Sequence, residues 1–260
     1  MNKPSDVVPV QPPIQQPQQV PPVQYGQPAQ PIQSGQPAQP IQSGQPNPQM
    51  EQIKKSATDY FSFFIQMLKA PVRTGQQTNA GQMVNGLITM IVFSLMLPLT
   101  IYFELRQAFK DVYSFFGSNT INLPAGDYIF KPFFVLIIAV LLVTAIMLLV
   151  LKLGRVVTNF KEVIARFGAL MVPAAALFTI SFLFALIKID VDLIGWLTML
   201  GFFSWLVAIC YTIYSFKKDQ PDGLDTFYCL LLTFIGSFIV FAIFGDSILS
   251  SFFGGIERLY

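Results

Sequence analysis

The chain has 260 residues, of which 53% are hydrophobic and only 12% are charged. A soluble globule of this size needs more charge to cover its surface, so the composition excludes an ordinary water-soluble domain. The net charge of +2 is too small for a nucleic-acid-binding surface, and a chain with two cysteines and no histidine offers few zinc ligands.

The N-terminal 52 residues form a Pro/Gln-rich tract. Residues 1–50 hold 13 of the 19 prolines, and the nonapeptide GQPAQPIQS stands at 26–34 and again at 35–43. Such a segment buries too little apolar area to offset its ordering entropy, so we predict a disordered cytoplasmic tail over residues 1–52. The tail is either a low-complexity spacer, which is the interpretation we favour, or a ligand for a proline-recognising groove.

Residues 53–70 follow a helical period instead. The residues that share the apolar face are Ala57, Tyr60, Phe61, Phe64 and Leu68, and Phe63, Ile65 and Met67 widen the apolar side. Because the segment is too polar to cross a bilayer, the pattern predicts an amphipathic helix that lies at the membrane interface with its lysines near anionic head groups. The alternative is a helix packed on the domain that follows.

Five apolar segments without a charged residue come next, and each is close to the ~20 residues that cross a hydrocarbon core of ~30 Å. They cover residues 82–103, 133–151, 167–187, 193–216 and 226–245. We therefore predict an all-α integral membrane protein with a five-span bundle over residues 82–245 and a short extracytoplasmic tail over 246–260. The first span is expected to continue as a helix to Phe116.

Ten lysines and arginines, including Lys217 and Lys218, lie on one side of the predicted bundle, and five lie on the other. Since cytoplasmic connections are enriched in cations, we expect a cell-membrane protein with its N-terminus in the cytoplasm and its C-terminus outside. The residues expected to anchor the membrane surface are Lys54, Lys55, Lys69, Arg73, Lys152, Arg155, Lys161 and Arg166.

The five segments contain no acidic or basic side chain, although such a group is the usual mark of a proton relay, ion path or buried catalytic site. Asp246 lies at the end of the last segment, and Asp190 and Asp192 lie in a turn, so we interpret all three as solvated carboxylates. Metalloprotease and phosphate-loop motifs are also absent from the sequence. We therefore expect no enzyme activity, no cofactor, no metal and no nucleic-acid partner.

Small residues recur in the later spans at the three- and four-residue steps that allow close helix packing. In the fourth span these residues are Gly201, Ser204, Ala208 and Thr212. We expect them to pack within the bundle, and the alternative is an interface between copies. Pro173 is expected to bend the third span, because it leaves a carbonyl near Ala169 without a donor.

The tail, the amphipathic segment SATDYFSFFIQMLKAP, the long first outer loop and the closely spaced later spans together resemble the Yip1-type membrane proteins, in particular their bacterial branch. The third span adds ARFGALMVPAAALF, in which Gly168 and Pro173 match the glycine and proline that commonly open that span in such proteins. The resemblance implies a five-helix bundle with a cytoplasmic N-terminus. Eukaryotic members are associated with small GTPases and vesicle traffic. Some bacterial relatives carry a cysteine-rich zinc ribbon, which has no counterpart here.

These observations favour a non-enzymatic adaptor or organiser of the membrane, which acts through its tail, its interfacial helix and its basic inner loop. Its expected partners are the lipid bilayer and a membrane or cytoplasmic protein. The alternative is a permease-like subunit or a passive small-solute facilitator, which requires a hydrated path between the spans.

Overall fold

The computed structural model describes residues 48–115, 124–218, 220 and 222–253, and these residues form helices connected by turns and loops. The α-helices are α1 Pro48–Lys69, α2 Pro71–Gln77, α3 Met83–Phe115, α4 Lys131–Leu153, α5 Phe160–Leu170, α6 Val172–Leu186, α7 Val191–Lys217 and α8 Thr226–Phe253. A 3-10 turn, Ala80–Gln82, precedes α3, and a π-helical turn, Gly126–Phe130, precedes α4. Most of the two predicted tails, including both nonapeptide copies, lies outside the described residues.

The described helices confirm an all-α protein with several membrane-spanning candidates. Four helical stretches are long and apolar enough to cross a bilayer, namely Ala80–Lys110, Gly126–Leu153, Val191–Lys217 and Thr226–Asp246. The bent pair α5–α6 adds a fifth if its two halves form one span. The fold class predicted from hydropathy is therefore confirmed, and the predicted third span is where its detail differs.

The helices extend further than the apolar segments that identified them. The N-terminal helix α1 begins at Pro48, inside the region predicted as tail, and α8 continues to Phe253, past the predicted end at 245. Helix α3 runs to Phe115, which agrees with the predicted continuation of the first span. Hydropathy marks the apolar part of a helix, whereas its backbone hydrogen bonds continue into polar sequence.

The predicted third span over 167–187 is two helices. Helix α5 begins at Phe160, so Lys161 and Arg166 lie on a helix and not in the loop that the sequence predicts. It ends at Leu170, and α6 starts after Met171 at an angle of 48° to α5. With 15 residues, α6 is about 22 Å long, too short to cross the hydrocarbon core alone.

The packing centre of the bundle is α5. Its buried residues are Val163, Ile164, Ala165, Phe167, Gly168, Ala169 and Leu170. Helix α3 lies against both α5 and α6, α7 lies against α6, and α8 lies against α4. Aromatic side chains join the layers, because the Phe93 ring of α3 lies 5.0 Å from Phe178 of α6 and 6.2 Å from Trp205 of α7, measured between centroids.

Helix α1 packs on the bundle through part of its predicted apolar side. Phe63 and Met67 are buried in the common core, and Tyr60 and Phe64 pack partly against it. Phe61, placed on the apolar face by the sequence, is 65% exposed, and Leu68 is also exposed. The contact agrees with the alternative of a helix packed on the domain that follows, whereas the position of α1 at a membrane interface stays a prediction.

Candidate functional site at the basic end of the bundle

Five helix ends meet at one end of the bundle, which we call the basic end: the starts of α3, α5 and α8 and the ends of α4 and α7. At α3, a Cβ added to Gly86 would lie 2.5 Å from the carbonyl oxygen of Ile164 in α5. At α7, the Lys217 ammonium donates to the carbonyl of Gly154, the residue that follows α4, at 3.2 Å. A Cβ added to Gly154 would lie 3.2 Å from the sulfur of Cys229 in α8. These contacts fix the relative positions of the five ends.

Residues 152–161, which are the connection from α4 to α5 with the last two residues of α4 and the first two of α5, are here called the basic loop. Its exposed cations are Lys152, Arg155 and Lys161. A buried lysine holds the loop in place, because Lys217 is 4% exposed and donates both to Gly154 and, at 2.8 Å, to the carbonyl of Asp222. The sequence counts Lys217 among the cytoplasmic cations, but the structure places its ammonium between two loops.

The α7–α8 connection locks onto the basic loop through the backbone. The Val157 N–H donates to the side-chain oxygen of Gln220 at 2.9 Å. Gly223 has φ +83°, and a Cβ there would lie 2.7 Å from the Gly154 carbonyl, so glycine meets both a conformational and a steric requirement. The end of α7 and the α7–α8 connection therefore hold the basic loop in place.

The prediction that Arg166 anchors the membrane surface does not agree with its environment. Its side chain is 12% exposed and its guanidinium pairs with Glu162 at 3.2 Å, one turn earlier on α5. It also donates to the carbonyl of Ser215 at 3.2 Å and lies 4.0 Å from the ring centroid of Phe216. Arg166 therefore fastens α5 to the end of α7 and is directed into the bundle.

The predicted anchors of the N-terminal region are on the surface. Lys54, Lys55 and Lys69 of α1 and Arg73 of α2 are all exposed. The helix itself is tied to α3 by a hydrogen bond of 3.1 Å between the hydroxyls of Tyr60 and Thr89. Partial burial raises the pKa of Tyr60 above its ordinary value, and the bond to Thr89 opposes that rise.

Gly168 and Pro173 act at the junction of α5 and α6. A Cβ on Gly168 would fall inside the backbone of Gly86, so the two glycines allow α3 and α5 to touch. The bend predicted from Pro173 is present, and the proline stands in the first turn of α6, where its missing N–H leaves no helical bond unmade. The Gly86 partner was missed, because one sequence does not say which glycines meet.

The small-residue stripe of α7 packs within the bundle. A Cβ on Gly201 would collide with the Phe178 ring of α6. Ala208 and Thr212 are buried, and Ser204 is half-buried. These contacts agree with packing inside one chain, the alternative that the sequence favoured.

Most serine and threonine hydroxyls in the spans donate hydrogen bonds to backbone carbonyls of their own helices. Those that donate to the carbonyl four residues earlier are Thr89, Thr100, Thr144, Thr179, Ser181, Thr212, Thr233 and Ser237. The buried hydroxyl of Ser94 is an exception and has no hydrogen-bond partner. Such internal bonds allow polar side chains to sit in a dry interior without forming a path between helices.

In the described part of the chain, no three histidine, cysteine or acidic side chains come together as metal ligands. Both cysteines are free thiols: Cys229 is buried and Cys210 is half-buried. What the basic end offers chemically is charge and hydrogen-bond donors on a fixed frame.

Residues 50–254 match a domain of unknown function, DUF6574. The chain belongs to the DUF6574 family. The DUF6574 match begins inside α1 and ends just beyond α8, so it includes the amphipathic helix and the whole bundle and leaves the Pro/Gln repeats outside.

Two relatives of this DUF6574 chain come from Bacillus subtilis (strain 168). Uncharacterized protein YvbI is 28% identical over 189 residues, which are 70% of this chain and 73% of YvbI. Uncharacterized protein YebC is 23% identical over 171 residues, which are 66% of this chain and 63% of YebC, so the match spans less than two thirds of that relative. No solved structure matches the chain significantly.

Proposed function

We propose that the chain is a non-enzymatic membrane protein of the Yip1-like kind that organises protein or lipid partners through its basic end. In this proposal it lies in the cell membrane, with the basic end and the N-terminus in the cytoplasm. The observation that carries the proposal is a basic loop with three exposed cations, Lys152, Arg155 and Lys161, that is held in place by hydrogen bonds to the end of α7 and to the α7–α8 connection.

The hydrogen-bonded charges of Glu162, Arg166 and Lys217 at the basic end favour a binding surface over a reaction centre. Glu162 and Arg166 bond to each other, and Lys217 bonds to two loop carbonyls. A proton relay or a catalytic base needs a group that can exchange its proton with a substrate or a neighbour. These three groups instead fasten α5, α7 and the loops together.

The hydroxyl pattern of the spans favours the organiser over the small-solute facilitator. A facilitator needs polar side chains directed into a shared path, as in transporters with a midplane site. In the described spans most buried hydroxyls bond to the carbonyl one turn earlier in their own helix.

The cytoplasmic orientation is supported by the distribution of exposed cations. Lys54, Lys55, Lys69 and Arg73 precede α3, and the basic loop lies at the end where α3 begins. Cations next to span ends favour the cytoplasmic side.

Quantitative crosslinking of the full-length chain in its native membranes tests the organiser role. The test variant is K152Q/R155Q/K161Q, and the matched control is R106Q/K131Q/K188Q, which removes one arginine and two lysines from exposed positions near the other end. We expect at least one crosslinked protein to fall by about fivefold or more in the test variant and to stay unchanged in the control. Crosslinked proteins whose recovery is the same in all three chains would contradict the organiser role.

A further inference from the structure

The basic loop exposes apolar side chains between its cations. Leu153 is 66% exposed and Val157 is 89% exposed, although both are large hydrophobic residues. They alternate with Lys152 and Arg155 along a short stretch of chain. An aqueous loop favours polar residues at such positions, whereas the boundary between head groups and acyl chains suits a mixture of both.

The folded structure fixes the positions of these exposed side chains. Val156, between the exposed Arg155 and Val157, is 4% exposed and packs into the core, and the Val157 N–H is held by Gln220. The Asn159 side chain accepts from the Glu162 N–H at 3.0 Å and so fixes the start of α5. Val157 and the cations beside it are therefore presented by a frame that needs no ordering when a ligand binds.

The charge of the basic loop differs from that of the α6–α7 turn at the other end. That turn also exposes apolar residues, Ile187 and Val191, but its cation Lys188 is accompanied by Asp190 and Asp192. The basic loop contains no acidic residue, and Glu162, which follows it, is paired with Arg166. The exposed acidic residues nearest to it along the packed surface, Asp222 and Asp225, belong to the α7–α8 connection, which also exposes Lys218. The basic loop thus presents positive charge without an acidic residue of its own, at the position where span α4 ends.

We infer that the basic loop binds the head groups of anionic phospholipids. Lys152, Arg155 and Lys161 face the lipid phosphates, while Leu153 and Val157 lie at the top of the acyl region. An acidic peptide with only polar side chains would satisfy the cations but would leave Val157 in water, whereas a phospholipid supplies both a charged head group and acyl chains. This inference deepens the proposed function and rests on it for the placement of the basic end at a bilayer surface.

Lipid selectivity of the purified full-length chain tests the inference. Equal amounts of phosphatidylglycerol and phosphatidylcholine are added in a mild detergent, and bound lipids are counted by native mass spectrometry. We expect a preference for phosphatidylglycerol that falls at least about tenfold in K152Q/R155Q/K161Q, since each cation near an anionic surface contributes about fivefold. The preference should stay within about twofold in R106Q/K131Q/K188Q and should weaken as salt rises.

Two outcomes of that experiment would overturn the inference. One is an unchanged preference in K152Q/R155Q/K161Q, and the other is an equal loss in the control triple variant, which would indicate a general effect of net charge. Both triple variants are compared at matched thermal stability, so that an unfolded chain is not scored as a loss of binding.

The depth of Val157 gives a second, independent readout. Val157→Cys in a chain without Cys210 and Cys229 carries an environment-sensitive dye, and lipids with a nitroxide at the head group or deep in the acyl chain quench it. We expect stronger quenching from the head-group label than from the deep label, and no quenching by either would overturn the inference. A crosslinking experiment that finds no loop-dependent protein partner would overturn the organisation of protein partners alone and would leave lipid binding unaffected.

Discussion

Helices α5 and α7 both reach the basic end, but they are surrounded differently. Helix α5 has 11 residues and three charges, yet seven of its residues are buried. Helix α7 has 27 residues and a longer apolar run, yet its Trp196, Phe203 and Val207 side chains are exposed. In a membrane, apolar character does not drive a helix inward, because lipid is as apolar as the protein core. Small residues and paired charges place α5 at the centre instead.

Removing the small residue at the α3–α5 contact gives the largest effect. Gly168→Ala places a methyl group in the backbone of Gly86, which must move away. We expect a destabilisation of about 3 kcal/mol or more, read as a large drop in the thermal midpoint in detergent. The control is Gly195→Ala on α7, where an added Cβ would meet no heavy atom within 4 Å apart from the adjacent backbone of its own helix, and it should be neutral or slightly stabilising. Equal thermal midpoints for the two variants would contradict the difference in packing between α5 and α7.

The Arg166 pair gives the next largest effect. Arg166→Gln leaves the Glu162 carboxylate and the Ser215 carbonyl without their charged donor, which costs about 1.5–3 kcal/mol. The double variant E162Q/R166Q should cost less than the sum of the two single changes, since each single change already removes the pair. Additive losses in a double-mutant cycle would show that α5 and α7 are not joined through this pair.

Two neighbouring lysines at the end of α7 have different environments, since Lys217 is buried and Lys218 is exposed. Lys217→Met leaves the carbonyls of Gly154 and Asp222 unpaired, and we expect a loss of about 1–3 kcal/mol. Lys218→Met, at the next, exposed position, should change stability by less than about 0.5 kcal/mol. The same thermal midpoint for both variants would contradict the assignment of Lys217 as the lock between the loops.

The smallest effect concerns the attachment of α1. Tyr60→Phe removes the bond to Thr89 and should cost about 0.5–1.5 kcal/mol at neutral pH. The folded-state pKa of Tyr60 is raised above the ordinary value of 10.0. The stability that the protonated Tyr60 side chain contributes is therefore complete below pH 10.0 and is lost as the pH rises through the folded-state pKa. The stability difference between wild type and Tyr60→Phe should therefore shrink in alkali. A constant difference across that range would contradict this account.

Hydropathy was sufficient for the class of fold and for four of the spans, because an uncharged apolar run of about 20 residues is typical of a membrane-spanning helix and rare in a soluble domain. Hydropathy failed at α5, because Lys161, Glu162 and Arg166 lower the mean hydropathy of the segment, which then resembles a solvated loop. The spacing of Asn159 and Glu162 is typical of a helix N-cap, and the spacing of Glu162 and Arg166 is typical of an ion pair on one helix face. Those two signals could have extended the helix to Phe160. The burial of Lys217 and the meeting of Gly86 with Gly168 depend on tertiary contacts between distant segments, which local patterns do not encode.

The α5–α6 pair carries the central claim, that a bent helix crosses the membrane and places the basic loop and the α6–α7 turn on opposite sides. Helix α7 ends beside Gly154 and is about 40 Å long, so the turn that precedes it lies at the far end of the bundle.

Single cysteines at Val157 and Lys188, in a chain without Cys210 and Cys229, test this claim with a membrane-impermeant maleimide. We predict that Lys188→Cys is labelled in intact cells and that Val157→Cys is labelled only after the membrane is opened. Labelling of both positions from the same side would mean that α5 and α6 enter and leave on one face, and it would contradict the account.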